Sequence, residues 1–368
     1  MKFHRATRRV AAGALAVGAL ALAIPATAGA ATKLPKVGYE KPPTASVSET
    51  GSTLLYPLFN IWAGGYNTVY PQVTITTAGT GSGTGITDAS NGTVDIGASD
   101  AYLAPSAVQA NPDLLNIPLA ISAQMIAYNI PGVTAHVKLT GKLISEIYEG
   151  QITTWNNSAI TAINPGVTLP AIPIVALHRS DSSGDTFLFT QFMSKTSSTW
   201  AASPGYNTTI SWPSSPGALG EAGNSGMVSG CKATPGCIAY IGVSYLTSAL
   251  QAGLGYAELQ NQKGTYELPT ATTIAAAAAG FVKTTPANGT ISMIYGKAAT
   301  GYPIVNYEYG IVSTNQESSA TATAIRSLLE WAVNLKDGNS SQYLSQVNFV
   351  PLPTKVVAQS VTQILKIK

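Results

Sequence analysis

Charge is scarce in this chain of 368 residues, where Asp, Glu, Lys and Arg together make up 10%. Histidine occurs three times, at His4, His136 and His178, and cysteine twice, at Cys231 and Cys237. With no pair of histidines spaced for a metal and no G-x-S-x-G elbow, the chain lacks the parts of a metal-dependent or nucleophilic hydrolase. No G-x-G-x-x-G occurs and no Gly-Lys-Ser/Thr closes a glycine-rich turn, so the dinucleotide and P-loop fingerprints are both missing. His178, next to Arg179, is the one candidate base, and strand alternation points it away from the arginine's face. The expectation is a protein that is not an enzyme and takes no cofactor or metal. An enzyme and a surface-interaction protein are the alternatives from other classes.

Long apolar runs are also lacking, except at the start. Met1 to Ala30 carries Lys2, Arg5, Arg8 and Arg9, then Val10 to Ile24 rich in Ala, Leu and Val, then Ala26-Thr27-Ala28-Gly29-Ala30. That is the pattern of a signal peptide over 1–30, too short and wrongly flanked for a membrane anchor, with Ala28 and Ala30 fitting an A-x-A cleavage site. Arg8-Arg9 is a weak match to the twin-arginine route. Cleavage would remove four of the 20 basic residues and none of the 17 acidic ones, so the formal net charge of +3 belongs to the leader. A nucleic-acid partner, which needs a basic stripe on the folded domain, is therefore not expected. No cysteine stands at the cleavage point for a lipid, so the expected location is periplasmic or extracellular, associated with the cell envelope without a lipid anchor. In an exported chain, Cys231 and Cys237 around Pro235-Gly236 read as a disulfide pinning a loop, with a metal site as the weaker alternative.

Residues 31–47, with Lys33, Pro35, Lys36, Lys41, Pro42 and Pro43, read as a flexible lead-in. The remaining ~320 residues exceed one core, and two lobes are expected. Val73–Thr76, Val94–Ala98, Ile172–Leu177 and Cys237–Ser244 have strand character. Leu54, Leu55, Leu58, Ile61 and Trp62 form a helical stripe with Pro57 in its first turn, and Ile325, Leu328, Leu329, Ala332 and Val333 form a second. Ala275–Ala279 is helix-prone. This alternation predicts α/β layers on largely parallel sheets, with a ligand beyond the carboxyl ends of the strands.

Three stretches fall at that position: Ser48 to Leu55, Gly79 to Gly85, and Arg179 to Thr186. Each places small residues and hydroxyls just before a helix, where free N–H groups and the helix dipole attract an anion. In the second, Thr80, Ser82 and Thr84 alternate with glycines, so backbone and hydroxyls can both approach a ligand; a flexible turn is the plainer alternative. In the third, Arg179 offers a fork that grips two oxygens. Asp181 and Asp185 read equally as helix-start carboxylates, and Asp100 as a turn residue. A carboxylate beside an anion has a use, because it accepts hydrogen bonds and so selects an oxyanion that still bears a proton. Phosphate qualifies and sulfate does not. A site built around such a bond rejects a ligand lacking it by roughly 10⁴–10⁵-fold.

With these residues in view, the chain resembles the phosphate-binding protein of the high-affinity phosphate ABC transporter, the PstS family, most closely in its actinobacterial form. The resemblance runs from about Ser48 to the C-terminus. It is carried by Gly51-Ser52-Thr53-Leu54, Gly81-Ser82-Gly83, Asp95 through Asp100, Arg179 through Phe189, and Gly301-Tyr302-Pro303-Ile304. It implies an α/β type II periplasmic-binding-protein fold, two lobes joined by two crossing strands, with 48–124 plus 303–368 as one lobe and 125–302 as the other. It also implies inorganic phosphate as ligand, an ABC permease and ATPase complex as partners, and a monomer. By position, Thr53, Leu54, Ser82, Asp100, Arg179, Ser183, Gly184 and Asp185 would bind phosphate, with Asp181 behind Arg179. Many members have threonine where this chain has Asp185, which implies a shifted pH preference. The missing lipid cysteine leaves open a secreted scavenging or surface-interaction protein without a dedicated permease.

Overall fold

The computed structural model describes residues 40–368, so the signal peptide over 1–30 and most of the lead-in fall outside the described residues. The end of the lead-in is not flexible chain. Strand β1 already begins at Ala45 and runs to Gly51, because Ala45 through Gly51 pair in parallel with Val73–Gly79 (β2), and Val47 is buried.

The large sheet has nine strands. After β1 and β2 come β3 (Ile96–Ser99), β4 (Leu114–Tyr128), β5 (Val175–Arg179), β6 (Leu219–Glu221), β7 (Cys237–Gly242), β8 (Gly255–Tyr256) and β9 (Val305–Ser313). Their spatial order is β2-β1-β3-β9-β4-β7-β5-β6, with β8 also paired to β4. The outer pairings β1–β2, β1–β3, β5–β6 and β5–β7 are parallel, as the alternation predicts. The central ones, β3–β9, β9–β4 and β4–β7, are antiparallel, which departs from a largely parallel sheet. The cause is β4, 15 residues long and buried throughout. Its Leu114–Ala123 half pairs with β9 and its Gln124–Tyr128 half with β7, so one strand serves both halves of the sheet. The change of partner falls at Gln124, whose N–H donates to Ile304 O (3.1 Å) and whose carbonyl accepts from Tyr302 Oη (2.9 Å).

Helix α1 (Tyr56–Val69) starts two residues after its apolar stripe does. Leu54 and Leu55 are buried in the turn before it, and Pro57 takes a first-turn place where no N–H is needed. Helix α2 (Ser82–Ser90) lies hard on β3. A Cβ on Gly97 would meet Gly85 O at 2.1 Å, so this close approach requires glycine. Helices α3 (Gly184–Thr196) and α4 (Gly223–Ala233) follow β5 and β6. In α5 (Ser319–Val333) every residue of the expected stripe is buried, and Ser327 accepts the Tyr66 hydroxyl of α1 at 2.8 Å. Helix α6 (Thr354–Ile364) ties to β4 through Ser360 Oγ donating to Pro118 O (2.6 Å). Ala275–Ala279 lies inside a helix spanning Ala271–Ala279.

Cys231, in the last turn of α4, is disulfide-bonded to Cys237 at the start of β7, with Cα atoms 5.3 Å apart. Neither sulfur is therefore free to ligate a metal. The bridge joins a helix to the strand that pairs with β4, and it closes a short loop, so its entropic contribution is about 2 kcal/mol. A Cys231→Ser/Cys237→Ser double variant is expected to keep the fold and lose about that amount in urea unfolding. An unchanged midpoint would contradict a stabilising role.

Candidate functional site

The three anion-cradle stretches lie at the carboxyl ends of β1, β2 and β5 and converge beside Asp100, which follows β3. Gly51, at φ 139°, takes hydrogen bonds on its carbonyl from Thr80 N (2.9 Å) and Gly81 N (2.7 Å), which joins the first stretch to the second. Gly83 N donates to Ser182 O at 3.0 Å, joining the second to the third. The N-terminus of α3 abuts the other side so closely that a Cβ on Gly184 would lie 2.4 Å from Ser82 Oγ and 2.5 Å from Asp100 Oδ2. Ser182 O likewise lies 2.8 Å from where a Cβ of Gly81 would be.

Arg179 is the cation at the centre, 3% exposed at the end of β5. Its Nε donates to Asp181 Oδ1 (2.6 Å), its Nη2 to Asp181 Oδ2, and its Nη1 to Asp185 Oδ2 (2.9 Å). Its backbone N–H donates to Tyr240 Oη at 2.8 Å, and that hydroxyl is bonded to Thr186 Oγ1 at 2.7 Å. Burial works against the guanidinium charge, but Asp181 and Asp185 outweigh it and hold the group protonated. Burial also works against the Asp181 carboxylate, yet the bonds and charge from Arg179 keep it below the usual range. His178 points away, stacked on Trp212 with ring centroids 4.8 Å apart, as alternation along the strand requires.

Around the arginine the hydroxyls and N–H groups take their places. Ser183 caps α3, accepting from Thr186 N (3.3 Å), so Gly184 and Asp185 present first-turn N–H groups that have no intrahelical partner. Ser82 Oγ accepts from Asp100 N at 3.2 Å. Thr53 Oγ1 accepts from Asn224 Nδ2 (2.9 Å) and Asn224 N (3.3 Å), and the Leu54 carbonyl accepts from Ser244 Oγ (2.8 Å). Among the described residues the N–H groups of Thr53 and Leu54 make no hydrogen bond.

Two carboxyls face this group. Asp185, fully buried, accepts from Gln124 Nε2 (3.0 Å), Asn224 Nδ2 (2.7 Å) and Arg179. Burial raises it above the ordinary value even against these bonds. Asp100 accepts from Ser52 Oγ, and burial together with the Asp185 charge raises it to about 7. Behind Asp100 stands Glu308 of β9, held high first by burial and then by Asp100.

All eight residues expected to bind ligand, with Asp181, are thus brought together. Gln124, Asn224, Glu308, Ser52 and Tyr240 belong to the same network and were missed from the sequence. Gln124 and Glu308 had a faint signal, since each is a polar residue inside an apolar strand, Ala123-Gln124-Met125 and Tyr307-Glu308-Tyr309. Asn224, in Gly223-Asn224-Ser225 at the start of α4, had none.

The raised carboxyls make a stability prediction. A folded Asp100 near 7 keeps its proton where an unfolded one, at its ordinary value of 3.8, has lost it. Its contribution is therefore complete below 3.8 and falls away between there and about 7, by roughly 1.4 kcal/mol per pH unit. Asp100→Asn should flatten the pH dependence of anion-free denaturation by that amount. An unchanged slope would mean that Asp100 is ionised throughout.

Residues 37–334 match the PBP superfamily domain. The phosphate-binding protein PstS of Xylella fastidiosa is 32% identical over 87% of this chain and 85% of its own length. The PstS of Methanocaldococcus jannaschii is also 32% identical, over 89% and 88%. The PstS3 of Mycobacterium bovis is 28% identical over 96% of both. Among solved structures, a high-affinity periplasmic phosphate-binding protein (PfluDING) bound with phosphate has the same fold, with a TM-score of 0.67 over 85% of this chain and 92% of that one at 22% identity. The architecture is accordingly the α/β periplasmic-binding fold, and the chain belongs to the PBP superfamily and, within it, to the PstS family of phosphate-binding proteins.

Proposed function

We propose that the protein binds inorganic phosphate outside the cytoplasm, in the cleft lined by Arg179, and delivers it to an ABC permease and ATPase complex for import. The observation that carries this reading is a single buried guanidinium surrounded by unpaired N–H donors and by two carboxyl acceptors. A bare dianion such as sulfate would satisfy the donors and clash with the acceptors; an oxyanion bearing protons satisfies both.

In this reading Thr53 and Ser82 supply hydroxyls and N–H groups, Leu54 and Gly184 supply backbone N–H, and Ser183, whose own N–H donates to Thr208 O (2.9 Å), supplies its hydroxyl. Arg179 supplies charge, with Asp181 fixing the plane of its fork. Asp100 and Asp185 accept phosphate protons. The partner switch of β4 at Gln124 supports a division into 48–124 plus 303–368 and 125–302, with closure about β4 and the segment entering β9. The ligand would be gripped from both sides at once. The role is binding rather than catalysis, by a monomer with no nucleic-acid partner. Among the described residues no helix is long and apolar enough to cross a membrane.

The test is titration of the stripped protein with phosphate and with sulfate, followed by tryptophan fluorescence. Tight phosphate binding with no sulfate response is expected; no response to phosphate from folded protein overturns the reading. Arg179→Lys, which keeps charge but loses the fork, should weaken phosphate by at least roughly 100-fold. Phosphate affinity should fall as pH rises above neutrality, because the ligand then loses the proton that Asp185 accepts. Asp185→Thr should make that decline shallower. An equally steep decline in the variant would remove Asp185 from the account.

A further inference from the structure

We infer that Glu308 is a positioning residue that holds a proton against Asp100 and thereby keeps Asp100 an acceptor, which is what excludes fully ionised oxyanions. This deepens the phosphate-binding reading and rests on it.

The argument starts from Glu308's surroundings. It lies at the middle of β9, completely buried. Its Oε1 is taken by Ser122 Oγ and by Asn306 Nδ2 (3.0 Å), while its Oε2 has no donor among the described residues. A second buried carboxyl, that of Asp100, adjoins Glu308 and raises it further. Asn306 Nδ2 also lies 3.3 Å from the Asp100 carbonyl, which fixes the two groups relative to one another.

Two buried carboxyls this close cannot both ionise, and the cation that could relieve them is engaged elsewhere. Arg179 spends its fork on Asp181 and Asp185. One proton must therefore reside on the pair. Glu308 is its better holder, because its Oε2 is buried without a donor and Asp100 is the group that feels Arg179's charge. The remaining charged group facing Asp100 is Asp185 of α3, whose charge opposes ionisation. Above about pH 7, where Asp100 has given up its own proton, the proton kept by Glu308 leaves Asp100 an anion, its Oδ2 directed at the α3 N-terminus where Gly184 approaches. With the proton on Asp100 the same atom would be a donor, and sulfate would be accepted.

The experiment compares phosphate and sulfate binding at neutral pH for the wild type, Glu308→Gln and Glu308→Leu. The glutamine still donates to Asp100 and should keep the phosphate preference. The leucine donates nothing, so Asp100 takes up a proton and the preference should shrink roughly tenfold or more. An undiminished preference in a folded Glu308→Leu protein, or an equal loss in Glu308→Gln, overturns the inference. Infrared difference spectra provide an independent readout should Glu308→Leu not fold. A protonated-carboxyl stretch present in the wild type and missing in Glu308→Gln supports the inference, and its absence from the wild type overturns it. A wild type that fails to bind phosphate sinks the functional reading instead, and leaves the infrared result to decide where the proton lies.

Discussion

The ion pairs of Arg179 with Asp181 and Asp185 are the interaction on which the rest of the site depends. A guanidinium with 1% of its side chain exposed survives burial only if its charge is matched and its N–H groups are used. Asp181 takes two of them in fork geometry, fixing the plane. Asp185 takes a third, and is itself held by Gln124 and Asn224. Because Asn224 also bonds Thr53 and, through its Oδ1, Gly242 N (2.8 Å), the arginine's position is transmitted across the cleft to the β1–α1 turn. A buried charge unites elements that are far apart in sequence.

The fold supplies the geometry that such a network needs. Parallel strands deliver helix N-termini at their carboxyl ends, and Ser52, Asp100 and Ser180 immediately follow the ends of β1, β3 and β5. The antiparallel strands β4 and β9 have a different task. They run through the centre of the sheet and carry Gln124 and Glu308, buried polar groups that reach the cleft from behind. Polar residues at these positions cost stability unless satisfied, and here Gln124 Nε2 donates to Asp185 and Glu308 Oε1 accepts from Ser122 and Asn306, while Gln124 Oε1 and Glu308 Oε2 have no partner among the described residues.

What could be read from the sequence, and what could not, follows from the range of the interactions. The stripes of α1 and α5 were legible because burial imposes a local period. The cradle was legible because glycines and hydroxyls before a helix have a local rationale, as at Gly79–Gly85. Helix α1 began later than its stripe, since apolar periodicity does not tell a buried turn at Leu54-Leu55 from a first helical turn. Strand β1 was not foreseen, and its first residues, Ala45 to Val47, were read as lead-in, because pairing with β2 leaves no mark in a short run of small residues. Sheet direction in the centre was not legible either: nothing local to Leu114–Tyr128 says that one strand will change partners at Gln124. Asn224 was invisible for the same reason, its three bonds reaching residues 18 to 171 positions away.

The cleft gathers four acids, Asp100, Asp181, Asp185 and Glu308, around one arginine, an unusual place for an anion unless protons accompany it. The account's central claim is that they do. The direct test is calorimetric titration of phosphate at about pH 8 in buffers of different ionisation enthalpy, which counts protons exchanged per ligand; free phosphate and Asp100 have by then mostly ionised. The account predicts uptake of about one proton per phosphate bound. Binding with no proton exchanged, or with protons released, would contradict it.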